Sequence, residues 1–255
     1  LSRTGQRYWQ LLPVNPTEAG QGHSPYSAVS SRAGNTLLIS PDLLFSEGLL
    51  SESDLEENRL EPATKTDYEN AERIKKILLD NAWQNFANNN DDAMRKAFDR
   101  FCDAEKEWLD DFALYMLLKQ INSGKPWYEW AEEYKIRQED AIKNLAEEHK
   151  DHLSQIKWFQ FIFRQQWDDL KKYCNTHGIL LIGDLPFYIS YDSSDVWSHR
   201  QLFSLDEHGN RIGVAGVPPD AFSDDGQLWG MPVFRWDVLK EQGYAWWVER
   251  VKEQS

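Results

Sequence analysis

Ile179-Leu180-Leu181-Ile182-Gly183-Asp184-Leu185-Pro186 follows a long helical pattern that His177-Gly178 brings to an end. The run Ile179–Ile182 has no polar alternation, so it predicts a strand covered on both faces, as in a parallel sheet. A buried strand entered from a helix places the chain in the α/β class. Gly183-Asp184 stands at the C-terminal edge of that strand, where α/β folds build their sites. A carboxylate there is costly unless it is paired or hydrogen-bonded. Asp184 is therefore a helix cap, an ion-pair partner or a functional group. The aromatic cluster Phe187, Tyr188 and Tyr191 beside it favours the last.

Upstream, Tyr8-Trp9-Gln10-Leu11-Leu12-Pro13-Val14 reads as a second buried strand, opening into the Gly-rich loop Glu18-Ala19-Gly20-Gln21-Gly22 and the turn His23-Ser24-Pro25-Tyr26-Ser27. Ser40-Pro41-Asp42 has the form of a helix start: a cap, a proline at the first helical position and an acid at the positive end. Gly48 stops that helix, and Ser51 with Asp54 repeats the capping pattern. From about Tyr68 to Thr176 the periodicity is helical, with stripes such as Ile74, Ile77, Leu78, Ala82 and Phe86. Asn88-Asn89-Asn90 and Ser123-Gly124-Lys125-Pro126 are the breaks. No chemistry is assigned to this block.

Downstream, Asp192–Trp197 reads as a capped helical turn, and Ser204–Asn210 as a tight turn with Gly209 left-handed. The stretch Gly213 to Pro232 holds four glycines and three prolines, which excludes a helix or a central strand. The expectation is an ordered loop without repeating structure. Such a loop either offers Phe222, Gln227, Trp229 and its carboxylates to a ligand or tucks its Trp into the core. Trp236–Lys240 and Tyr244–Lys252 read as helices with Trp246 and Trp247 in the core.

At 255 residues the chain can bury a large core. Its net charge of -14 argues against nucleic acid and anionic membrane as partners. Twelve Trp stand where ordinary usage gives roughly three or four. Aromatic faces suit sugar rings, although most of these side chains are expected to fill helix interfaces. Cys102 and Cys174 lie far apart, with no metal-ligand neighbours at suitable spacing, so reduced thiols in a cytoplasmic protein are expected. No apolar run approaches the ~18 residues of a membrane span. The start at Leu1, abruptly before a strand, suggests a missing or trimmed beginning.

Trp9-Gln10-Leu11-Leu12-Pro13 with Pro16-Thr17, then Ser24-Pro25-Tyr26, resembles the first signature of the amylomaltases, the 4-alpha-glucanotransferases. The likeness runs on through Ala33–Ile39, Gln165-Gln166-Trp167, Gly178–Pro186, Asp192–Trp197 and Val214–Trp229, in the family's order. The resemblance implies an incomplete (β/α)8 TIM barrel of the alpha-amylase clan with large helical insertions. Its parts would be an early strand and loop region at 1–66, a helical insertion at 67–172, and the next strand, substrate loop and helices at 173–255. It implies transfer of alpha-1,4-glucan segments to glucose or maltooligosaccharides by a retaining double displacement, with no cofactor and no metal.

That chemistry needs two carboxyl groups about 5–5.5 Å apart. The family's nucleophile lies in an Arg-x-Asp-His segment, which does not occur here. The chain is therefore expected to be an N-terminal part, inactive alone, with exposed strand edges and with its catalytic residues elsewhere. By the same resemblance Asp184 holds a donor-subsite sugar, Tyr26 lines the cleft, Gln227 and Trp229 contact glucan, and Asp220 is a further binding carboxylate. Ala221 stands where the family has an aromatic, which puts acceptor preference in doubt. An alpha-glucan hydrolase of the same clan and a non-catalytic glucan-binding module are the alternatives.

Overall fold

The computed structural model describes residues 1–89 and 91–254. Asn90 of the expected 88–90 break, and Ser255, lie outside the described residues. In chain order the elements are β1 (Tyr8–Gln10), α1 (Pro41–Ser46), α2 (Glu52–Glu57), α3 (Tyr68–Asn88), α4 (Asp92–Ala104), α5 (Lys106–Ile121), α6 (Glu132–Lys135) and α7 (Glu139–Glu148). They continue with α8 (Lys150–Thr176), β2 (Leu180–Ile182), α9 (Ser194–Ser198), β3 (Val214–Val217), β4 (Gln227–Pro232), α10 (Trp236–Glu241) and α11 (Ala245–Gln254), making an α/β chain dominated by helices. None of the described helices is long and apolar enough to cross a membrane.

The chain forms two compact units, each drawn from separate stretches: Leu1–Trp9, Gly34–Leu109 and Ser154–Ile182 in the first, the remainder in the second. The first unit begins its helices where the caps demand. Ser40 Oγ accepts the Leu43 N–H with Pro41 next in line, and Ser51 and Asp54 form a reciprocal capping box. On α3 the i, i+4 spacing of Leu78, Ala82 and Phe86 turns one stripe inward, and all three are buried. Phe86 packs 5.3 Å from Trp158 and 5.8 Å, edge-on, from Phe98. Each such fully buried side chain contributes about 1.5–3 kcal/mol of transfer free energy. Two glutamines on α8 hold loop backbone. Gln160 accepts from Gly34 N–H (2.8 Å) and donates to Gly34 O (3.1 Å), and Gln166 does the same for Ser40 at 2.7 and 3.3 Å.

The strands depart from expectation. β1 and β2 pair in a two-stranded sheet, with Leu180 N–H donating to Arg7 O at 2.8 Å. Neither is a buried strand: Tyr8 is 61% exposed, Leu180 53% and Ile182 45%. A run can be apolar on both faces by composition, but its cover must come from other elements. Among the described residues each of these three-residue strands pairs with the other alone.

In the second unit, Tyr115, Trp127, Trp130 and Trp197 make a buried aromatic cluster, with Tyr115 5.4 Å from Trp130 and Trp130 5.7 Å from Trp197. Beside it Asp192 accepts from Tyr115 Oη (2.7 Å), Lys119 Nζ (2.7 Å) and Trp127 N–H (3.1 Å). These bonds offset the cost of holding the charge away from water. Ser193 caps α9 as its sequence predicts. Trp246 is core, whereas Trp247 is only half-buried.

The stretch from Gly213 to Pro232 is not an irregular loop. β3 and β4 pair antiparallel, with Val217 opposite Gln227, Gly216 opposite Leu228 and an irregularity between Val214 and Gly216. The glycines that argued against a strand permit this one. A Cβ on Gly216 would lie 2.3 Å from Gln227 O, and one on Gly226, at φ +74, would lie 2.5 Å from Val217 O. The prolines fall at the ends of the strands, so few ladder donors are lost.

Candidate functional site

All five candidate residues belong to the second unit. Tyr26 follows a left-handed pair, Gly22 (φ 61) and His23 (φ 54), which turns the chain sharply. Its own N–H then donates to Ser24 Oγ at 3.3 Å. The turn leaves the ring 42% exposed, and the phenol donates to Asp184 Oδ2 at 2.6 Å. That bond pushes the Tyr26 pKa above its ordinary value of 10.0: the bonded carboxylate holds the proton, desolvation adds, and the charge of Asp184 adds again. The partner that a carboxylate at this strand end requires is thus a phenol rather than a cation.

Four residues beyond Asp184, the Tyr188 ring lies 5.9 Å from Trp229, tilted by 59°. Trp229 Nε1 donates to Gln227 Oε1 at 3.1 Å, which fixes both side chains on β4. Phe187 meets Tyr188 edge-on at 5.1 Å and also packs on Trp247 (5.5 Å) and Trp236 (6.0 Å). Tyr26 and Tyr188 line one small cavity together with Asn15, Ser31, Pro186 and Arg250, of about 10 Å³, or about one water. Tyr26 touches Asp184, Tyr188 shares its cavity, and Tyr188 touches Trp229, which holds Gln227.

Asp220 sits apart from this sequence of contacts. Its carboxylate accepts the N–H groups of Phe222 (2.8 Å) and Ser223 (3.0 Å), so its bonds stay within the hairpin tip. An open groove of about 460 Å³ runs along the hairpin, past Val217, Asp225, Gln227 and Leu228. Phe222, 92% exposed, and Leu228, 83%, project from the same hairpin. Among the described residues no three His, Cys, Asp or Glu side chains gather as a metal site. Cys102 and Cys174 form no disulfide among the described residues.

Sequence reasoning missed Arg250. It is fully buried on α11 among tryptophans, and its Nη2 donates to Pro186 O at 2.6 Å. The signal was present in Trp246-Trp247-x-x-Arg250, a helical spacing that lays a guanidinium over an indole.

Exposed phenol and indole faces beside a carboxylate, on an α/β scaffold, form a surface whose chemistry matches polyhydroxylated ligands with apolar ring faces. The glycosyl hydrolase family 77 model, described as 4-alpha-glucanotransferase, matches residues 1–255, and the chain belongs to that family. It is 43% identical over 254 residues to a 4-alpha-glucanotransferase of Aquifex aeolicus, covering 98% of this chain and 50% of the relative. The corresponding enzyme of Synechocystis is 40% identical, with 99% and 50% covered. Among solved structures, the amylomaltase from Streptococcus agalactiae in complex with acarbose superposes with a TM-score of 0.90 at 37% identity, over 98% of this chain and 50% of that one. The chain spans about half the length of the curated relatives it matches.

Proposed function

We propose that this chain is the glucan-holding part of a 4-alpha-glucanotransferase of the amylomaltase type. The enzyme would move alpha-1,4-glucan segments onto glucose or maltooligosaccharides through a retaining double displacement. The contact sequence from Asp184 and Tyr26 through Tyr188 to Trp229 and Gln227 carries the reading, on a chain whose family membership is plain. Asp184 accepts hydrogen bonds from sugar hydroxyls, Tyr26 orients that carboxylate, and the Trp229 indole offers an apolar face to a ring. Asp220 organises the hairpin tip and meets glucan from there.

The (β/α)8 barrel, with its division at residues 66/67 and 172/173, belongs to the same proposal. So does a cytoplasmic setting. The nucleophile and the acid/base are assigned to segments outside this chain, so the chain alone binds maltooligosaccharide without turning it over. Calorimetric titration with maltoheptaose tests the binding: saturable heat is expected, and its loss in Asp184→Ala. Incubating a longer protein that contains the Arg-x-Asp-His segment with maltotriose tests the transfer. Glucose plus longer oligomers is the expected result, and hydrolysis to short sugars alone would overturn it.

A further inference from the structure

Arg250 has no exposed surface, yet its Nε and Nη1 find no hydrogen-bond partner among the described residues. The guanidinium lies 5.1 Å from the Trp247 ring and 5.5 Å from the Trp246 ring. Burial depresses its pKa to about 10, with Asp195 opposing that shift and Arg32 adding to it. A buried guanidinium with two nitrogens unpaired opposes folding, and an apolar side chain of similar length would fill the same volume. What the guanidinium adds is reach: Nη2 donates to the Pro186 carbonyl at 2.6 Å. Pro186 lacks an N–H, so the segment around it has one fewer backbone bond with which to hold itself. Asp184 and Tyr188 flank that proline at two residues on either side, and Arg250 lines the same small cavity as Tyr26 and Tyr188.

We propose that Arg250 is a positioning residue: by latching the Pro186 carbonyl to α11, it sets Asp184 against Tyr26 and Tyr188 against Trp229. The latch itself needs no ligand. Its consequence for sugar binding rests on the function proposed above.

The test uses Arg250→Met and Arg250→Lys in the whole chain, with thermal unfolding as the check on folding. Two readouts follow: the Tyr26 titration, by NMR of ¹³Cζ-labelled tyrosine assigned with Tyr26→Phe, and maltoheptaose affinity by calorimetry. In folded Arg250→Met the Tyr26 titration falls toward its ordinary range and affinity drops about tenfold, near the low end of what one hydrogen bond to a charged group contributes. Arg250→Lys keeps a donor for Pro186 O and restores part of both, which a role in bulk packing would not do. An unchanged Tyr26 titration in folded Arg250→Met overturns the proposal.

Should Arg250→Met fail to fold, hydrogen exchange of the unaltered chain decides. Amides of Asp184, Leu185 and Phe187 to Ile189 exchanging in step with α11 support the latch, and faster independent exchange overturns it. A shifted Tyr26 titration in a protein that binds no maltoheptaose upholds the latch and removes the glucan reading instead.

Discussion

The Tyr26 phenol donates a 2.6 Å hydrogen bond to Asp184 Oδ2 across 158 positions of sequence. A carboxylate at a strand end and an aromatic from a distant turn thereby become one polar unit. Because that bond is the largest cause of the raised Tyr26 pKa, Asp184→Asn is expected to return the phenol toward its ordinary value. Ultraviolet or NMR titration measures it. Tyr26 is well exposed, so the thermal midpoint is expected to stay unchanged while maltoheptaose affinity falls.

The hairpin that carries Gln227 and Trp229 depends on close backbone approach. Gly226→Ala puts a Cβ 2.5 Å from Val217 O at a left-handed φ. Loss of about 1–3 kcal/mol is expected, from strain and overpacking together. Equilibrium urea unfolding reads the stability. Near-UV circular dichroism is expected to show the Tyr188–Trp229 contact weakened before the rest of the fold.

Lys119 and Asp192 form a 2.7 Å ion pair in which Lys119 is 7% exposed. Lys119→Met removes the cation and leaves Asp192 in place with Tyr115 and Trp127 N–H as donors. Breaking a pair this buried is expected to cost about 3–5 kcal/mol, toward the lower end because two donors remain. The shift of the urea midpoint at constant slope checks it.

Two groups set opposite limits on stability with pH. Burial lowers the His199 pKa below its ordinary 6.5, against the opposing charge of Asp195. The unfolded chain then binds the proton more readily, so stability is full above about pH 6.5 and is lost as pH falls through the depressed value. His199→Gln is expected to remove that part of the acid sensitivity. Burial raises Tyr191 to about 12 from 10.0, with its Oη donating to Gly209 O. Here the folded chain keeps its proton longer, so this contribution is whole below pH 10.0 and is lost as pH rises toward about 12. Denaturant midpoints across both ranges, with Tyr191→Phe as the comparison, measure the two slopes.

Local features were legible and local physics explains why. Ser40-Pro41-Asp42, the Ser51–Asp54 box and the left-handed Gly48 and Gly178 act over three or four residues, so reading them needs no tertiary knowledge. The stripe Leu78, Ala82 and Phe86 is one step longer and equally secure, because helical period alone decides its face. The strands were harder. Leu180 and Ile182 are apolar enough for a covered strand, yet they stand exposed, since cover is a property of neighbours. Gly216 and Gly226 read as breakers where they are spacers for a hairpin.

Residue identity by itself therefore determined where α1 and α2 start, where α8 ends and which face of α3 turns inward, together with the α/β class and the family. Each of these follows from short-range sterics, periodicity or motif order. The breaks near 105, 136–138 and 149 inside the helical block were not legible. Tertiary structure alone decided that Asp184 pairs with a phenol, that Gln227 holds Trp229 on a hairpin strand, and that Arg250 reaches Pro186. The first and last of these join residues 158 and 64 positions apart, and the Gln227–Trp229 bond needs the strand that pairing with β3 creates; hydrogen-bond geometry cannot be inferred until the backbone has brought the partners together.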